Sequence, residues 1–168
     1  SRWQANDVEP YERVRRLRGA RVPFRNPVHG IPMIAKQRIG IVGAGMMGHG
    51  IAKNLVEKGF PLAVRGHRSR APIDDLVGRG ATEVKTNADL ARASDIVILC
   101  VTGAPQVEEV MFGPEGVASA ARPGTIVVDT STSEPATTAK MREALAKQDV
   151  RFVDAPLART PVEAEQGR

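Results

Sequence analysis

A doubly wound α/β fold, one parallel sheet with helices on both faces, is what this sequence predicts, and three observations carry it. Short apolar runs alternate with stretches of helical periodicity, the connections between them are short, and one strand-to-helix junction is built on glycines 43, 45 and 48. The first strand is 39–42, where Ile39, Ile41 and Val42 form a buried run. Met46, Met47, Ile51, Ala52, Leu55 and Val56 then recur at helical spacing until Gly59 stops the helix. Residues 61–65 read as a second strand, 71–78 as a helix, 82–84 as a short third strand, and 87–93 as a helix capped by Asn87. A buried fourth strand over 95–101 leads into helices over 105–111 and 115–121, then a fifth strand over 125–129. A long helix over 134–147 precedes a last strand at 150–153. Such sheets bind ligands beyond the carboxyl ends of their strands, which places loops 43–48, 65–70, 101–105 and 129–133 along one crevice.

The glycine junction has the spacing of a dinucleotide-binding turn. Gly43 permits the tight turn, Gly45 lets the backbone approach a pyrophosphate, and Gly48 lets helix and strand pack closely. The ligand then meets free N–H groups and the positive end of a helix dipole, so Gly43, Ala44, Gly45, Met46, Met47 and Gly48 are the expected pyrophosphate residues. The loop after the second strand chooses between cofactors. A carboxylate there would hold the ribose hydroxyls of NAD, but the chain has Arg65-Gly-His-Arg-Ser-Arg70 and no acid before Asp74. Arg65, His67, Arg68, Ser69 and Arg70 suit a 2′-phosphate, and NADP is expected over NAD. The alternative is a solvated loop, or arginines stacked on the adenine of either cofactor.

A length of 168 residues suits one domain with its own core. The single cysteine, Cys100, closes the apolar run 96–100 and reads as a small buried residue of a reduced compartment, so a cytoplasmic protein is expected. His29, His49 and His67 are scattered, and no metal site is expected. No apolar run approaches the roughly 20 residues of a membrane span. Charge is uneven: residues 1–38 hold nine Lys or Arg against three Asp or Glu, and residues 39–168 hold 15 against 16. Residues 1–37 are expected to form a basic, disordered leader, with residues 38–168 the folded domain. Arginine clusters suit a nucleic-acid arm or an organelle presequence, but Asp7, Glu9 and Glu12 fit neither. Met33, just before the first strand, is where a compact domain would begin.

Five segments in order carry a family resemblance: Ile39-Gly-Ile-Val-Gly-Ala-Gly-Met-Met-Gly48, Ala52-Lys-Asn-Leu55, Gly113-Pro-Glu-Gly-Val117, Pro123-Gly-Thr-Ile-Val-Val-Asp-Thr-Ser-Thr132 and Asp154-Ala-Pro156. From Arg38 onward the chain resembles the β-hydroxyacid dehydrogenases, which include 3-hydroxyisobutyrate dehydrogenase and tartronate semialdehyde reductase, with 6-phosphogluconate dehydrogenase as a relative. The resemblance implies a Rossmann-type domain, followed in full-length members by an all-helical domain that builds the dimer. It implies an oxidoreductase interconverting a 3-hydroxy acid and its semialdehyde or a related carbonyl, acting on a small carboxylate substrate as a homo-oligomer. By position, Arg65 to Arg68 face the adenosine ribose, Val101 and Thr102 lie over the cofactor, and Ser131 and Thr132 sit beside nicotinamide and substrate. Ser131 also reads as a turn hydroxyl capping the next helix.

Two departures stand out. Where the family commonly reads D-A-P-V-S-G-G, this chain has Asp154-Ala-Pro-Leu-Ala-Arg-Thr-Pro161, so Arg159 and Thr160 read as a variant anion clamp, with an exposed loop arginine as the alternative. The family's acid/base lysine lies in a G-x-G-x-x-x-K motif, which these residues do not reach by Arg168, so no catalytic residue is expected here and the chain reads as a fragment inactive by itself. An imine reductase on the same scaffold and a noncatalytic dinucleotide sensor are the competing readings. Ser131 and the Asp154-Ala-Pro156 element favour the hydroxy acid, and no helix-turn-helix pattern precedes Arg38 to support a nucleic-acid partner.

Overall fold

Successive residues of a strand face opposite sides of a sheet, and here each side collects its own apolar set. The computed structural model describes residues 36–66 and 69–168; the leader expected over 1–37 lies outside them but for its last two residues, as do His67 and Arg68. Six parallel strands run in the order β3-β2-β1-β4-β5-β6: β1 (Ile39–Val42), β2 (Leu62–Arg65), β3 (Thr82–Val84), β4 (Ile96–Leu99), β5 (Ile126–Asp129) and β6 (Arg151–Asp154). The helices between them are α1 (Met46–Glu57), α2 (Ala71–Gly78), α3 (Asn87–Ala93), α4 (Ala104–Phe112) and α5 (Pro135–Ala146). A short α6 (Pro161–Glu165) follows β6.

Ile39, Ile41, Leu62 and Val64 point to one face and bury Ala52 of α1 with Ile73 and Leu76 of α2. Val97, Leu99 and Val127 point to the other, against Leu90 of α3, Val107 and Met111 of α4, and Met141 and Leu145 of α5. Each fully buried side chain of this size contributes about 1.5–3 kcal/mol relative to exposure. The chain reverses its direction across the sheet between β1 and β4, where Val42 pairs with Leu99, and ligand crevices of doubly wound sheets open at such a point.

Two local expectations are corrected. The 87–93 helix is capped by Thr86, whose hydroxyl accepts from Asp89 N at 3.0 Å, and Asn87 is buried as the first helical residue. The segment 115–121 forms only a 3₁₀ turn at Val117–Ser119, with Gly113 and Gly116 interrupting the helical run ahead of it. Beyond the last predicted strand, residues 161–165 are helical. The signal was present: Thr160-Pro-Val-Glu163 is a capping box with proline at the first helical position, and Thr160 N donates to Glu163 Oε2 at 3.0 Å.

Arg38 enters β1 by clamping Asp95 before β4. Its backbone N and Nε donate to Asp95 Oδ2 at 3.0 and 3.2 Å, and Nη2 donates to Oδ1 at 2.7 Å. These bonds hold the Asp95 carboxyl down at about 2, below its ordinary 3.8. A depressed carboxylate stabilises the fold above its ordinary pKa and loses that contribution as pH falls through the folded value. Arg38→Ala is therefore expected to lower Tm at pH values above 3.8, with the gap closing as pH falls through about 2, and to raise the Asp95 midpoint in a carboxyl NMR titration.

Candidate functional site

Backbone crowding explains the glycine turn. Gly43 takes φ +99°, and a Cβ there would lie 2.1 Å from the Cys100 carbonyl oxygen on the neighbouring strand end. A Cβ on Gly48 would lie 1.8 Å from the Gly43 carbonyl oxygen, so the helix can approach the strand only with glycine at this position. Gly45 is different: its Cβ would meet nothing within 4 Å. Its lack of a side chain serves no internal packing and leaves a cradle open in front of α1. The first ladder bond of α1 runs from His49 N to Gly45 O at 2.8 Å, so the N–H groups before it have no ladder partner, and the first turn holds no acidic residue. That helix end is suited to an anion.

A cavity of about 410 Å³ extends from this turn. Gly43, Ala44 and Gly45 line it, with Val101 from the loop after β4 and Arg65, Ser69, Lys85 and Asn87 from the strand ends beyond. Arg65 Nη1 donates to Asn87 Oδ1 at 3.2 Å, while its Nε is buried and has no hydrogen-bond partner among the described residues. A buried donor of this kind suits an acceptor brought by a ligand. The open cradle at Gly45 and the unpaired Arg65 donor at its far side both fit a dinucleotide.

Arg70, expected to add charge to this crevice, is committed elsewhere: it donates to Glu83 Oε1 at 2.5 Å and to Asp74 Oδ1 at 2.7 Å. The same pairing holds the Glu83 carboxyl below the usual range. Lys85 and Asn87 were missed as lining residues. Their signal lay in strand order, because a strand pairing beside β2 brings its following loop to the same end of the cavity.

The wall beyond β4 and β5 is organised by Asp129, which is fully buried. Its Oδ1 accepts from Ser131 N at 2.9 Å and its Oδ2 accepts from the Ser133 hydroxyl at 2.6 Å. The Ser131 hydroxyl accepts from Val101 N at 3.0 Å, tying this wall to the cavity. Ser131 does not cap the next helix, whose N-cap is Glu134. Its hydroxyl proton is still available to donate, since the bond from Val101 uses only a lone pair. Thr132 sits close to the loop after β4, where a Cβ on Gly103 would lie 3.4 Å from its carbonyl oxygen.

The structure does not bring every expected residue into one cavity. Met47 and Arg159 line a second cavity, of about 440 Å³, along the flank of α1. Arg159 Nη1 donates to Glu163 Oε1 at 2.7 Å, and its side chain is 66% exposed. Thr160 is the N-cap of α6. Met46 is exposed at the start of α1. Among the described residues no group of His, Cys, Asp and Glu could hold a metal ion, and no helix is long and apolar enough to cross a membrane.

The residues that build this turn, sheet and cavity fall within a known domain: a model of the NAD binding domain of 6-phosphogluconate dehydrogenase matches residues 38–168. The chain belongs to this family. It is 37% identical over 130 residues to a 2-(hydroxymethyl)glutarate dehydrogenase of Eubacterium barkeri, covering 77% of this chain and 43% of the relative. It is 34% identical over 131 residues to the 2-hydroxy-3-oxopropionate reductase of Escherichia coli (strain K12), covering 77% and 44%. Among solved structures, 3-hydroxyisobutyrate dehydrogenase from Salmonella typhimurium superposes with a TM-score of 0.73 at 29% identity, covering 79% of this chain and 46% of that one. Psf3 in complex with NADP+ and 2-OPP superposes with a TM-score of 0.71 at 31% identity, covering 77% and 45%. An imine reductase from Myxococcus stipitatus, at 22% identity and TM-score 0.69 over 76% of this chain and 43% of that one, shares the fold. The chain thus spans less than half the length of these relatives, and what it shares with them is an NAD(P)-binding domain of dehydrogenases and reductases.

Proposed function

We propose that these residues form the cofactor site of an oxidoreductase that interconverts a 3-hydroxy acid and its semialdehyde or a related carbonyl, with NADP preferred over NAD. The observation that carries the cofactor preference is Arg65 at the end of β2, lining the cavity with its Nε unpaired among the described residues. An acid at that strand end would pair with a ribose diol. An arginine there pairs with a phosphate. Glu83 of β3, beside Gly66, is paired with Arg70 and opposes this little.

When bound, the nicotinamide group supplies hydride chemistry. The chain's own part is to hold and orient. Backbone N–H groups at the start of α1 hold the pyrophosphate at the Gly45 cradle, and Arg65 meets the 2′-phosphate, with Arg68 a further cation in the sequence of that loop. The Ser131 hydroxyl, fixed by Val101 N, donates to a substrate carboxylate beside Thr132. Arg159 and Thr160 extend the anion-binding side toward the substrate. The names of the dehydrogenase and reductase relatives favour a hydroxy acid over an imine, since the imine reductase likeness carries only the fold.

Calorimetry on the 168-residue chain tests the preference. NADP is expected to bind at least about ten-fold more tightly than NAD, or about 1.4 kcal/mol, and Arg68→Asp to reverse the order. Equal dissociation constants would overturn the reading.

A further inference from the structure

Both ring nitrogens of His49 face carboxylate oxygens, which is the observation the dinucleotide reading leaves unused. Nδ1 lies 2.7 Å from Glu165 Oε1 on α6, and Nε2 lies 2.8 Å from Asp75 Oδ2 on α2. Ionised carboxylates only accept, so both bonds exist together only when both ring nitrogens carry protons. The side chain is 22% exposed and stands at the meeting point of three helices.

The surrounding charges keep the carboxylates ionised. Lys53 of α1 donates to Glu165 Oε2 at 2.9 Å. Arg79, just after α2, donates to the same Asp75 Oδ2 at 2.8 Å, and its other end pairs with Glu57 of α1. The Asp75 carboxyl is held down at about 2 by Arg79 and then His49, and Glu165 is held low by His49 and Lys53. As pH rises, the proton that leaves this cluster is therefore the imidazolium's. A neutral ring can donate to one carboxylate only and turns a lone pair to the other.

What the ring ties down is α6 and the loop before it. Gly50 of α1 touches α6 so closely that a Cβ there would lie 2.7 Å from the Ala164 carbonyl carbon. Asn54 Nδ2 adds a neutral tie, donating to Gly50 O at 2.8 Å and to Ala164 O at 3.0 Å. Beside the Lys53–Glu165 ion pair, the α6 segment thus carries a tie through the His49 ring and a neutral tie through Asn54.

We propose that His49 is a protonation-dependent positioning residue: as the imidazolium it fastens α6, and with it the 155–160 loop, to α1 and α2, and its deprotonation releases that fastening. Although burial works against it, its two carboxylate partners raise the His49 pKa above the ordinary 6.5. The contribution is fully present below 6.5 and is lost as pH rises through the folded value. Any effect on substrate affinity rests on the substrate reading above, so the test measures the tie itself.

Ring-nitrogen NMR of the 168-residue chain should place the His49 midpoint above 6.5. Hydrogen exchange of amides 162–168, corrected for intrinsic rates, should rise at least about ten-fold as pH passes that midpoint. In His49→Gln, which can donate to only one carboxylate, exchange should be fast at every pH and show no step. Asp75→Asn provides a milder variant: it should lower the His49 midpoint and move the exchange step to lower pH. A midpoint at or below 6.5, or an exchange profile identical in wild type and the two variants, would overturn the proposal.

Discussion

Gly45→Ala is expected to abolish most dinucleotide affinity while leaving the fold standing, and Gly48→Ala to damage both. The two glycines differ in what fills their missing side chain. At Gly48 a Cβ would lie 1.8 Å from the Gly43 carbonyl oxygen, a backbone atom that cannot swing aside, so α1 must shift off the sheet. Overpacking of this kind costs about 1–3 kcal/mol and occasionally more. At Gly45 a Cβ meets nothing within 4 Å, and the backbone there is extended at φ −76°, which alanine tolerates. The cost to the fold is at most about 1 kcal/mol, from the poorer N-cap. The same methyl stands in the cradle where a pyrophosphate must approach the N–H groups of α1, so the dissociation constant should rise at least about ten-fold, and the lost contacts set a larger ceiling. Thermal melts and calorimetry on both variants check this. Unimpaired binding in Gly45→Ala would show that the ligand does not pass over this turn.

Asp129→Ala should have the largest effect on stability among the polar residues of the crevice. The fully buried carboxylate accepts from Ser131 N and from the Ser133 hydroxyl, and its removal leaves the first of these donors buried without a partner. Losing a charge-assisted bond contributes about 1.5–3 kcal/mol, and the stranded N–H a further part of about 1–3 kcal/mol, so a total near 3 kcal/mol is expected in chemical denaturation. The function should fall with it, because Ser131 holds Val101 N and through it the cavity wall. Asp129→Asn, which retains an acceptor for Ser131 N, should recover a good part of the loss. A melt unchanged in the alanine variant would show that the 130–133 turn is held by other contacts, such as the bond from Thr130 N to Leu99 O at 2.8 Å.

Short apolar runs and helical spacing are local patterns, and the six strands and their order of appearance were legible from them. So was the glycine turn, because each of its three positions answers to a steric demand between residues a few places apart or on the next strand. Boundaries were less legible where two residues compete for one role, as Thr86 and Asn87 do: Thr86 won the cap because Asn87 is buried against Arg65 of a different strand. The α6 helix was readable in principle, since Thr160 and Glu163 form their capping box within four residues.

The sequence by itself determined the class of fold, the dinucleotide turn and the basic character of the loop after β2. Only the tertiary structure decided which of those charges meet the cavity. Arg65 is turned into it, while Arg70 is drawn to Glu83 on the adjacent strand and Arg159 to Glu163 one helical turn away. The three arginines look alike along the chain because charge is a property of the residue. Their roles differ because pairing is a property of distance: Glu83, which claims Arg70, and the two carboxylates that share His49 between α2 and α6 lie 13 to 116 residues away in sequence.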